Sequence, residues 1–110
     1  MRKSTISFEI DLDDNNLPDK ITWTASDNQN AENNTKAIAV SLWDPIQQNT
    51  LKIDLWTKDM HVEEMDKFMV DTLGGLSQTM LNATGDTFIS GAINSLCDRL
   101  ATHIKNKNYK

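Results

Sequence analysis

Between Leu51 and Phe68 the chain reads LKIDLWTKDMHVEEMDKF, and within those residues its apolar spacing changes from two to three or four. Leu51, Ile53 and Leu55 alternate with Lys52, Asp54 and Trp56, the period of a strand with two distinct faces. Val62, Met65, Phe68 and Met69 then fall at helical spacing, continued by Leu73, Leu76 and Met80. The elements before this switch read as strands and those after it as helices, so the chain is expected to be α+β.

Ahead of the switch, Ile6, Phe8, Ile10 and Leu12 alternate with Ser7, Glu9 and Asp11, which predicts a strand with one dry face. Asp13-Asp14-Asn15-Asn16 and Pro18 turn the chain, and Ile21, Trp23 and Ala25 open a second alternating run. The two runs predict a hairpin. From Asp27 to Asn34 the sequence DNQNAENN holds one apolar residue, and its amide side chains favour local bonds, so a mobile loop is expected. From Lys36 to Trp43 both alternating sets are uncharged, Ile38, Val40 and Leu42 against Ala37, Ala39, Ser41 and Trp43. That predicts a strand central in its sheet or covered on both sides.

Asp44-Pro45 starts a turn through Asn49, and Leu51 to Trp56 returns as a second hairpin. With Leu42 facing Ile53 and Val40 facing Leu55, Trp43 lies opposite Lys52 and Trp56 opposite Ala39, so the indoles are not direct partners. Asp59 or a neighbour caps the first helix, whose early turns carry Glu63, Glu64 and Asp66, and Gly85 suits the left-handed position after it. Gly74-Gly75 inside that helix points to close packing there rather than a local break. Asp86 or Thr87 caps a last helix with Ile89, Ile93, Leu96, Leu100 and Ile104 in a stripe. Arg99, His103, Lys105 and Lys107 lie toward its negative end, where basic residues complement the dipole.

The expected architecture is a four-stranded antiparallel meander with two C-terminal helices packed on the face that carries Phe8, Trp23, Val40 and Ile53. At 110 residues the chain fits one domain, 1–110, burying roughly two-thirds of its unfolded surface. A net charge of −5 argues against a phosphate backbone as partner, because such binding draws on clustered Lys and Arg. No run approaches the length of a membrane-spanning helix, and Arg2-Lys3 is followed by a strand pattern rather than a leader's apolar core. The single Cys97 has no partner for a disulfide and falls among apolar positions, which predicts a packed thiol in a reducing compartment, the cytoplasm.

Chemistry-bearing groups are sparse. Asp11, Asp13, Asn15 and Asp19 imitate the start of a calcium loop, but Asn16 stands where glycine is needed and Thr22 where a bidentate carboxylate is needed. They read as a polar hairpin turn. Asp54, Asp59, His61 and Glu64 gather at the strand-to-helix junction and define an alternative reading, a small ligand- or metal-binding and hydrolytic domain. Strand exposure and helix capping account for the same residues. No glycine-framed nucleophile or phosphate-binding loop is present, so neither catalytic residues nor a cofactor are expected, nor a metal.

The better candidate is the outer face of the second hairpin. Ala39 and Ser41, with Ala37, make a shallow strip beside Trp43 and Trp56, and Lys52 lies across from it. Small residues next to indoles form a slot for a protein partner, since tryptophan is enriched where proteins meet. The competing reading has Trp56 fold over Ala39 and fill the strip itself.

The segments ITWTASD at Ile21 to Asp27, KAIAVSLWD at Lys36 to Asp44 and LKIDLWTKDMHVEEMDKF at Leu51 to Phe68 resemble the gliding motility protein GldC family of Bacteroidetes. IDLWTKDM is the most specific of them, while the last helix and the Asn-rich segment match less closely. The family pattern often has proline after KDM, where this chain has His61. The resemblance implies a small cytoplasmic accessory or adaptor protein of gliding motility, not an enzyme. Its expected partners are proteins, other gliding components or a second copy in a homodimer.

Overall fold

The computed structural model describes residues 2–109, with the side chains of 28–32 left aside. Its contacts gather into two compact units, Met1–Met60 and His61–Lys110, each described by itself below.

The first unit holds five strands: β1 (Ile6–Leu12), β2 (Pro18–Ala25), β3 (Asn28–Thr35), β4 (Ala37–Asp44) and β5 (Asn49–Trp56). All pairings are antiparallel, in two sheets ordered β1-β2-β3 and β4-β5. Both expected hairpins are present, but the single four-stranded meander is not. The difference originates in residues 27–34. Ala25 pairs with Asn28 across a two-residue turn, and the Asn-rich segment runs back along β2 as β3 instead of forming a loop. Backbone groups alone make that pairing, so a polar segment can occupy an edge with no apolar signal in its sequence. Because β3 takes the open side of β2, β4 and β5 form a sheet of their own.

At the base of the second hairpin, Thr57 N–H donates to Lys36 C=O at 2.8 Å and Lys58 N–H to Pro18 C=O at 3.0 Å, tying β5 to the start of β2. Ile21 is fully buried, and Thr22, Ala37 and Thr57 are buried as well. The expectation that β4 is central or doubly covered is corrected. Among the described residues it pairs with β5 alone, and Leu42 and Trp43 near its end are exposed.

The second unit is a helical hairpin of α1 (Val62–Thr84) and α2 (Thr87–Lys105). His61, not Asp59, is the N-cap of α1, and its N–H donates to Glu64 Oε1 at 3.2 Å. Gly85 ends the helix in the left-handed region (φ 72°), its N–H donating to Leu81 C=O at 2.9 Å, as the sequence requires. Asp86 caps α2 by accepting the Ile89 N–H at 2.9 Å. Ser77 and Ser90 are the buried residues of the two helices, and Cys97 Sγ lies 3.8 Å from Val70 C=O. Close packing does not explain Gly74-Gly75. Among the described residues, apart from the chain neighbours and the helix's own backbone, no atom lies within 4 Å of where a Cβ would stand on either glycine, and α1 runs unbroken through both.

Candidate functional site

The second hairpin turns over four residues. Asp44 Oδ1 accepts the N–H groups of Ile46 (2.9 Å) and Gln47 (3.2 Å), and Gln48 N–H donates to Asp44 C=O at 2.9 Å with Gln48 in the left-handed region (φ 56°). This closure pairs Asp44 with Asn49 and fixes every rung below. The register therefore differs by two residues from the sequence expectation: Leu42 faces Leu51, Val40 faces Ile53, and Trp56 lies opposite Ala37, not Ala39. Lys52 stands opposite Ser41, and Trp43 opposite Thr50.

On the resulting face, Ala37, Ala39, Ser41 and Trp43 lie beside Trp56, Asp54, Lys52 and Thr50. The proposed residues thus share one face, but the indoles stand at its two ends, six residues or about 20 Å apart along the strands. Trp43 is 61 % exposed and Trp56 54 %. Between them Lys52 Nζ and Asp54 Oδ2 form an ion pair at 2.8 Å, on the strand opposite Ser41 and Ala39. What the sequence suggested as a compact slot is a shallow strip with an aromatic anchor at each end and a charged pair in the middle.

Trp56 has neighbours that sequence reasoning did not bring to it. A groove of about 350 Å³ is lined by Leu17, Pro18, Asp54, Leu55, Trp56 and Lys58. Leu17 and Pro18 come from the β1–β2 turn, where Asp13 Oδ1 accepts the N–H groups of Asn15 (2.8 Å) and Leu17 (3.0 Å). Lys58 Nζ lies 3.0 Å from Asp13 Oδ2 and 3.4 Å from Asp19 Oδ1. The Leu17 N–H and then the Lys58 ammonium hold the Asp13 carboxyl below the usual range, and Asp13 in return raises the Lys58 pKa. Asp13 and Asp19, two of the aspartates that imitate a calcium loop, thus serve a turn and its lysine. The one available clue to this neighbourhood was Pro18, which the sequence offers only as a turn former.

The junction residues of the alternative reading have separate local tasks. Asp54 pairs with Lys52, Asp59 Oδ1 accepts the Thr57 hydroxyl at 2.6 Å, and Glu64 accepts the N–H of the capping His61. Among the described residues no three His, Cys, Asp or Glu side chains converge to hold a metal ion.

In the helical unit, His103 and Lys105 occupy the last turn of α2, in keeping with the dipole, but Lys107 lies beyond it and is held by α1. Its Nζ is 2.5 Å from Asp66 Oδ2, the Tyr109 hydroxyl donates to the same oxygen at 2.8 Å, and Lys107 sits 5.3 Å from the Tyr109 ring centre. Lys107 and then Tyr109 lower the Asp66 pKa, while the Asp66 carboxylate pushes the phenol up to about 12. These contacts fasten the residues after α2 onto α1. No described helix is long and apolar enough to cross a membrane.

A family model described as "Gliding motility-associated protein GldC-like" matches residues 18–106, from the start of β2 to the cap of α2. Comparison with curated proteins and with solved structures gives no match.

Proposed function

Because this chain belongs to the GldC-like family of gliding-motility-associated proteins, we propose that it serves the motility machinery as a non-catalytic cytoplasmic adaptor, binding a protein partner through the β4–β5 face. The observation that carries this reading is the exposure of Trp43 and Trp56 at the two ends of a strip of small residues. Large rigid aromatics contribute binding area at low entropic cost, and small residues between them let a partner's backbone approach. The Lys52–Asp54 pair supplies one charge of each sign for registering that partner.

The test is capture from gliding cells with the tagged chain, its Trp56→Ala variant and its Ser41→Arg variant, alongside thermal melts. The reading predicts a gliding component that co-purifies with the parent chain and is lost with either variant at unchanged melting temperature. A melt that collapses on Trp56→Ala, with no gliding component bound by the parent, makes the indole a structural residue and ends the reading.

A further inference from the structure

The edge of β4 differs in composition from that of β3. β3, one edge of the first sheet, is drawn from NQNAENNT, which carries a charged residue, Glu32. β5 runs on to β2 through the Lys58 N–H bond to Pro18, but among the described residues β4 has a strand partner on one side only. Its sequence from Ala37 to Trp43 has no charge, proline or glycine. Strands of that composition are kept inside sheets, because an uncharged free edge is a template for another strand.

We propose that β4 pairs antiparallel with β4 of a second copy of this chain, about a two-fold axis through Val40, to give one sheet ordered β5-β4-β4-β5. The segment from Lys36 to Asp44 is self-complementary about that axis. Lys36 falls opposite Asp44 of the second copy, Ala37 opposite Trp43, Ile38 opposite Leu42, Ala39 opposite Ser41, and Val40 opposite itself. Every pair but the axial Val40 one occurs twice by symmetry: Ala37 with Trp43 sets a small residue against a large one, Ile38 with Leu42 and Val40 with itself match aliphatics, and Ala39 with Ser41 sets two small residues together. An isologous contact of this kind closes at two copies. A register one residue away puts Ile38 on the face of Trp43. The inference concerns the edge of β4 and stands whether or not its face binds a different protein.

Sedimentation velocity on the purified full-length chain tests it, over the micromolar range expected of a small interface. Two double variants, Ala39→Glu/Ser41→Glu and Ala39→Lys/Ser41→Lys, put like charges opposite each other across the axis at exposed positions. Inside the hairpin each variant gains one opposite-charge and one like-charge neighbour, at Asp54 and Lys52, so the fold is left nearly neutral. The expected result is a dimer for the parent, a monomer for each variant at unchanged circular dichroism, and a dimer again in their equimolar mixture, where opposite charges meet. A parent that stays monomeric throughout, or grows beyond two copies, overturns the proposal. So do folded variants that dimerise like the parent, or a mixture that stays monomeric.

Discussion

Ser77 Oγ lies 2.8 Å from Ser90 Oγ and 2.9 Å from the Ser90 carbonyl, placing two buried hydroxyls at the contact between α1 and α2. Small side chains let the helices approach there, and each hydroxyl satisfies the other in a dry setting. Replacing Ser77 with alanine removes one partner and is expected to destabilise the chain by about 1–2 kcal/mol. Ser77→Leu adds volume where there is none to spare and is expected to cost about 1–3 kcal/mol. The Ser77→Ala/Ser90→Ala double variant should lose less than the sum of the single losses, since neither hydroxyl is then stranded. Urea melts of the four chains check the cycle.

Tyr109 is the single tyrosine, so absorbance at the tyrosinate band reads this phenol alone. Its bond to Asp66 raises the pKa from 10.0 to about 12. A raised phenol pKa contributes stability that is fully present below the unfolded value and lost as pH rises through the folded one. Asp66→Asn is therefore expected to move the titration midpoint back toward about 10 and to remove that alkaline loss. A midpoint unchanged by the substitution contradicts the Asp66 contact.

Asp13 shows the opposite sign. The Leu17 N–H and Lys58 depress its folded pKa, so its contribution is present above the unfolded value and disappears as pH falls through the folded one. Asp13→Asn should lower the melting temperature at neutral pH, with the difference from the parent narrowing between about pH 5 and pH 2. Melts at both ends of that range measure it.

Gly74→Ala and Gly75→Ala are each expected to stabilise α1 by roughly 1 kcal/mol, because the new methyl meets no described atom beyond its chain neighbours and the helix's own backbone within 4 Å while the unfolded chain loses freedom. Denaturant midpoints at unchanged slope are the measure. A loss of stability from either alanine points to a packing demand on that side of α1.

The sequence by itself determined the parts whose causes are local. Period-two alternation specifies β1, β2, β4 and β5, and the spacing from Val62 to Ile104 specifies both helices. Asp86 and Gly85 mark the helix boundary because a short acceptor and a residue free of a Cβ are what a cap and a left-handed turn need. The candidate face was legible too, since alternation puts Ala39, Ser41, Trp43, Lys52 and Trp56 on one side in either register.

Tertiary structure decided the rest. The register of the second hairpin depends on Gln48 adopting a left-handed conformation that its side chain disfavours and that the turn around Asp44 imposes. β3 exists through backbone pairing to β2, for which its polar side chains give no sign. The groove at Trp56 joins residues from two distant turns. Local propensity reads a residue against its neighbours in sequence, whereas register, sheet order and a groove between turns are set by which backbone edges pair across the chain.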